Sequence, residues 1–190
     1  MSPILGIVAS SKFLGASYEW IATATGNPSG TTTISNIPTD YDYLEIRATI
    51  HADSSASDLT ISVNGDTSNS YTFHQMYLAN GGGSLDGSSP QGATLNQNWN
   101  PANIVPTALD ANLMCSVVMQ IGNQAGKWKN YQSRSAWTNA VGQTPMGGYY
   151  IIRSGQYQST SKITSLTIGS DATDFGLSSI TKLDLYGVRT

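Results

Sequence analysis

Apolar and polar side chains alternate one for one along several stretches of this chain. That period of two constrains the fold more than any other feature, because it sends alternate residues to opposite faces of a strand. Leu44, Ile46, Ala48 and Ile50 fall on one face, and Tyr43, Glu45, Arg47, Thr49 and His51 on the other. Leu59, Ile61 and Val63 alternate with Thr60, Ser62 and Asn64. Leu113, Cys115, Val117, Met119 and Ile121 alternate more loosely with Met114, Ser116, Val118 and Gln120. Further strands are expected over 17–25, 30–37, 71–78, 127–138, 148–154, 162–168 and 180–189. No segment carries a sustained helical period. Asn64-Gly65 suits a tight turn with positive φ, and Asn27-Pro28-Ser29-Gly30 punctuates the first hairpin.

The pattern predicts an all-β fold: an antiparallel β-sandwich or jelly roll of about ten strands. Leu44, Ile46, Ile61, Val63, Val117 and Met119 are expected inside. Between Leu78 and Asn112 runs a stretch rich in Gly, Asn and Pro, including Gly81-Gly82-Gly83, which reads as one long loop of functional or interfacial type. Trp99 falls in that loop, whereas Trp20 reads as core. Residues 17–190 form the sandwich domain, and residues 1–16 stand apart as an N-terminal arm. Within the arm, Pro3, Ile4, Leu5, Gly6, Ile7 and Val8 read either as an attachment peptide or as a first strand on the same sheet.

Charge narrows the function. Charged residues are 11% of the chain, with 9 basic and 12 acidic side chains and a net charge of −3; an average globular protein has about 25% charged. There is no basic footprint for nucleic acid, nor one for an anionic membrane surface. Ser, Thr and Gly fill the polar positions, which suits sheets with uncharged outer faces. The apolar run Ile4–Ala9 has no basic residue before it and is too short for a signal sequence. The chain is expected to be made in a reducing cytosol, where its one cysteine, Cys115, forms no internal disulfide.

Catalytic chemistry has little to work with. The two histidines, His51 and His74, have no metal-ligand spacing with other residues, and neither a nucleophile elbow nor a phosphate-binding glycine pattern occurs. Asp53, Asp58, Asp66 and Asp86 fit no calcium loop and read as solvated or turn-capping acids. Cys115 reads as a small core residue. No catalytic residue, metal site or cofactor is therefore expected. One dense cluster remains, from Lys127 to Trp137. Trp128, Tyr131, Arg134 and Trp137 offer aromatic faces and donors of the kind a glycan needs. Strand geometry places Trp128 and Trp137 on opposite faces, so at least one belongs to the core. One core tryptophan beside a solvated basic edge is the competing account of the same residues.

Several short motifs stand in a fixed order along the chain: Pro3-Ile4-Leu5-Gly6-Ile7-Val8-Ala9-Ser10; Tyr18-Glu19-Trp20-Ile21; Ile37-Pro38 with Tyr41 and Leu44-Glu45-Ile46-Arg47; Asn64-Gly65-Asp66 with Tyr71 and His74; and Ile163-Thr164-Ser165-Leu166 with Leu185-Tyr186-Gly187-Val188. Together they span nearly the whole chain, and in this order they resemble a family of small structural proteins of tailed bacteriophages, carried among virion and tail genes. The segment 79–112 departs most from that pattern. The resemblance implies a non-enzymatic virion surface protein, either a tail-fibre or tail-tip component or a capsid decoration. Its partners would be other virion proteins and host surface glycans, and analogy with phage appendages suggests a homotrimer. It brings no site residues with it. A free carbohydrate-binding module or lectin is the alternative, and a small hydrolase with a dispersed triad is a third.

Overall fold

The computed structural model describes residues 17–28, 30–51, 58–79, 85–88, 98–103, 113–138, 148–170 and 177–189. The expected arm, Pro3 to Val8, lies outside them, as do Asp53 and much of 79–112. Among the described residues there is no helix.

Among the described residues, twelve strands form two antiparallel sheets. In chain order they are β1 (Ser17–Thr25), β2 (Thr32–Ile34), β3 (Tyr43–Ile50), β4 (Asp58–Val63), β5 (Tyr71–Ala79), β6 (Leu85–Ser88), β7 (Trp99–Asn103), β8 (Cys115–Gly122), β9 (Lys129–Thr138), β10 (Gly148–Tyr157), β11 (Leu166–Ser170) and β12 (Lys182–Arg189). The larger sheet runs β1-β12-β3-β8-β9-β10-β5-β6 and the smaller runs β2-β11-β4-β7. The core lies between them. Leu44, Ile46, Val117, Met119 and Leu185 face Leu59, Ile61, Val63 and Leu166, all essentially solvent-free. Each such side chain contributes about 1.5–3 kcal/mol over an exposed one. All six residues expected inside are there.

Several of the described motif residues are fasteners. Asn64 and Gly65 take positive φ (54° and 70°) in the turn after β4. The Asn64 side chain accepts from the Thr164 and Ser165 amides at 2.8 and 3.1 Å and donates to the Lys162 carbonyl at 2.9 Å. Asp66 accepts from the Ser68 amide and the Tyr157 hydroxyl, while Tyr71 donates to the Asp66 carbonyl. At the same end of the sandwich, Tyr41 lies flat against Gly187, and its carbonyl accepts from the Lys162 ammonium at 2.8 Å. A β-carbon at Gly187 would sit 2.4 Å from the ring. The Tyr41 hydroxyl donates to Glu19, and Arg189 lies over the ring at 4.5 Å while pairing with Glu19. The Tyr41–Glu19, Asp66–Tyr157 and Asn64–Ser165 bonds join residues 22, 91 and 101 positions apart, while the Ser68 and Tyr71 bonds to Asp66 are local.

Two tryptophans depart from expectation. Trp20 was read as core, yet it is 61% exposed. Strand β1 carries a bulge between Trp20 and Ala22. The extra residue shifts the alternation, so Tyr18 and Trp20 face outward while Ala24 faces in. Trp99 was placed in a long loop, yet it is fully buried on β7, against Tyr71, Tyr131 and Tyr157. The stretch read as one loop thus holds two strands, β6 and β7. Pro101 hid the second of these. It is tolerated because β7 is an edge strand of the smaller sheet.

Candidate functional site

The larger sheet has an outward face, and the strand register determines what stands on it. Cross-strand partners share a face. One row therefore runs Trp20, Tyr186, Glu45, Gln120, Gln132, Ser154 and His74 across seven strands. The row on one side holds Tyr43 opposite Gly122, and Asn130 opposite Gln156. The row on the other side holds Arg47, Val118, Arg134, Ile152 and Met76. Carboxamides, aromatic rings and a few apolar side chains dominate this face.

Its best-formed concavity is an open groove of roughly 530 Å³ at the β8–β9 end. Gly122 leaves its floor bare. Tyr43 (42% exposed) and Trp128 (51% exposed) stand along it, with Gln120, Gln124, Asn130, Gln132 and Lys127 supplying polar groups. A smaller depression continues from Gln120 and Gln132 to Val118 and Arg134. Four residues along a strand separate Gly122 from Val118, so this track extends about 13 Å.

The loop that presents Trp128, residues 123–128, is fastened from beneath. Asn123 is fully buried; its amide donates to the Asp42 carbonyl at 2.7 Å and its side chain accepts from the Ile163 amide at 2.9 Å. Gly126, at φ 71°, donates to the Thr160 carbonyl. Lys129 is solvent-free, and its ammonium donates to the carbonyls of Gln124, Lys127 and Thr160. Burial, with Lys162 nearby, lowers the Lys129 pKa from its ordinary value. A buried lysine is costly unless its protons are all placed, and here the backbone carbonyls take them.

Beside the groove, Glu45 accepts from Gln120 (3.0 Å), Arg47 (2.7 Å) and the Tyr18 hydroxyl (3.2 Å). Burial would raise this carboxyl. The three donors outweigh that, and it sits below its ordinary value. Arg47 lies between the rings of Tyr18 and Tyr186, 5.3 and 5.0 Å from their centres.

The cluster expected over 127–137 is divided. Trp128 and Arg134 face outward, but Tyr131 and Trp137 are buried on the inner face, so these two cannot offer their rings to a glycan. The reason is strict alternation along β9, which also turns Ser133 and Ser135 inward. Lys129, part of the supposed solvated edge, is interior. Asn130 and Gln132 belong to the expected cluster, but Tyr43, Gln120 and Gly122 do not. Alternation already sends Tyr43 and Gln120 outward, but only the register brings β3 beside the β8–β9 hairpin.

Elsewhere, His74 is exposed near Ser154 on the same face, and His51 is buried at the end of β3. Asp58 pairs with the buried Arg153 at 2.7 Å, far from a metal-ligand role. Among the described residues, no group of three or more His, Cys, Asp or Glu side chains gathers to hold a metal ion. Compared with known proteins, the chain matches no family model, no curated protein and no solved structure.

Proposed function

We propose that this chain is a non-enzymatic surface protein of a tailed-bacteriophage particle, a tail-fibre, tail-tip or capsid-decoration component that acts by binding. One observation carries the binding part: the outward face of the larger sheet is rich in aromatic and amide groups and poor in charge, and it carries a groove on a firmly held loop. The particle part rests on the ordered motifs named above, from Pro3-Ile4-Leu5-Gly6 to Leu185-Tyr186-Gly187. Of their described residues, Glu19, Tyr41, Asn64 and Asp66 link distant segments, a role that suits residues shared across a structural family.

On this reading the partners are other virion proteins, and the protein assembles as a homo-oligomer, a trimer by analogy with phage appendages. Residues 3–8 dock it on the particle. Their four large apolar side chains, Ile4, Leu5, Ile7 and Val8, bury at about 1.5–3 kcal/mol each. Gold-labelled antibody against this protein on purified particles tests the assignment. Label at the tail or over the capsid is expected, and particles free of the protein overturn it. Deleting residues 1–12 is expected to abolish incorporation while leaving the melting temperature nearly unchanged; a much lower melting temperature makes the segment an internal strand. Turnover of a glycan or ester by wild type but not by His74→Ala would overturn the non-enzymatic reading.

A further inference from the structure

We infer that the groove between Tyr43 and Trp128 is a carbohydrate-binding cleft that takes a neutral oligosaccharide. The inference deepens the surface-binding reading and rests on it for its biological setting. Three observations lead to it.

The first is the chemistry of the lining. Two exposed aromatic rings offer flat apolar surfaces to the C–H face of a pyranose ring, and Gln120, Gln124, Asn130 and Gln132 offer both donors and acceptors to hydroxyl groups. Each carboxamide can answer a hydroxyl in either sense, which suits sugar hydroxyls. The lining includes one cation, Lys127, and no carboxylate. The nearest acid on this face, Glu45, is occupied by three donors. Within the groove a ligand meets one cation and no carboxylate, with a second cation, Arg134, at the far end of the track; so sparse a charge fits an uncharged sugar better than a nucleic acid or a charged peptide.

The second is the shape. The floor is open because residue 122 lacks a side chain, not because the backbone demands glycine. A β-carbon there would meet only the Asn130 carbonyl oxygen, at 3.8 Å, and its φ is not in the left-handed region. The bare strand position leaves the space between Tyr43 and Trp128 free. The track runs about 13 Å in all, from Gly122 past Gln120 and Gln132 to Val118 and Arg134, enough for a short chain of sugar rings rather than one.

The third is rigidity. Trp128 is solvent-exposed, yet its loop is held by a buried asparagine, a left-handed glycine and a buried lysine. A rim held in advance lowers the ordering cost of binding, which is where weak sugar sites lose most.

The test uses the full chain on an array of immobilised defined oligosaccharides, neutral and acidic, followed by titration calorimetry with the strongest binder. Trp128→Ala removes one wall. Gly122→Val fills the floor with a side chain that suits a strand. Trp20→Ala, on the same face but outside the groove, is the control. Wild type is expected to bind neutral glycans, and Trp128→Ala and Gly122→Val to weaken binding at least about tenfold, or about 1.4 kcal/mol. Trp20→Ala should bind as wild type does, and all three should melt near wild type. Failure of wild type to bind any glycan overturns the inference, as does binding that survives both groove substitutions. A change of oligomeric state in Gly122→Val by light scattering, without glycan binding, would assign the groove to a second copy instead. Particles that carry the protein while it binds no glycan would remove the cleft and leave the virion assignment standing.

Discussion

Replacing Trp99 tests the part of the fold that was least visible in the sequence. The indole is solvent-free and meets Tyr71 edge-on at 5.8 Å, Tyr157 edge-on at 6.2 Å and Tyr131 at 5.0 Å between ring centres. Truncating a buried Trp to Ala costs about 3–5 kcal/mol. For a domain of this size each kcal/mol lowers the melting temperature by about 2–4 °C, so Trp99→Ala should melt roughly 6–20 °C below wild type. Trp99→Phe should behave differently. The indole Nε1 is buried with no hydrogen-bond partner. A buried donor without a partner costs about 1–3 kcal/mol, and Phe removes it while keeping an aromatic ring among the three tyrosines. The loss of ring volume is then largely offset, and Trp99→Phe should lie within about 1.5 kcal/mol of wild type. Urea unfolding of the three proteins, followed by circular dichroism, measures both differences. Equal losses in the two variants would refute the account of the indole nitrogen. A Trp99→Ala variant within about 0.5 kcal/mol of wild type, the range of ordinary surface changes, would refute the placement of β7 in the core.

Asn64→Ala should destabilise the domain by about 1–3 kcal/mol in urea unfolding, since it strips the acceptor from the Thr164 and Ser165 amides; Asn64→Gly, which keeps the positive φ, should lose the same bonds but less turn stability. Acid should weaken the fold through Glu45 and Asp66: burial raises the Glu45 carboxyl but its three donors win, and the Ser68 hydrogen bonds lower Asp66, so both sit below their ordinary values of 4.5 and 3.8. Depressed folded values mean that this stability is full above the ordinary values and is lost as pH falls through the folded ones, so melting temperatures should be flat from pH 7 to about 5 and fall below about 4, less steeply in Glu45→Gln. Burial pushes the Cys115 thiol up to about 12, so a thiol reagent at pH 8 should label it only as fast as the protein opens, and at once in denaturant.

The inner face of the sandwich was legible because burial and alternation carry the same information there. Leu44, Ile46 and Ile50 could only face one way, and one apolar face needs one core. The Asn64-Gly65 turn was legible because only small or amide residues hold positive φ cheaply. What failed was local parity and edge tolerance. A single bulge after Trp20 reversed the inward set of β1, and a proline in β7 disguised a strand whose amide ladder is needed on one side only. The groove was legible only in part: Trp128 stood out as an aromatic among cations, but its partners Tyr43 and Gln120 are ordinary outward residues of other strands. Their meeting depends on which strand lies beside which, and pairing across dozens of residues leaves no mark in local spacing.

The same geometry separates holding the fold from binding. Among the residues that fasten distant segments, Glu19, Tyr41, Asn64, Asp66 and Gly187 fall within the motifs set out above, whereas Asn123, Lys129 and Arg153 do not. The groove draws instead on Gln120, Gly122, Trp128, Asn130 and Gln132, none of which belongs to a motif, and on Tyr43, which lies between motif positions. Only Glu45 and its neighbours touch both sets, through the Gln120 amide. Side chains at Gly122, Trp128 and Gln132 can therefore change without disturbing a fastener, because they project from strands and a loop whose backbone is held from the inner side by Asn123 and Lys129. A scaffold built this way can alter what it binds while its sandwich stays the same, which is the physical requirement for a surface protein that meets varied partners.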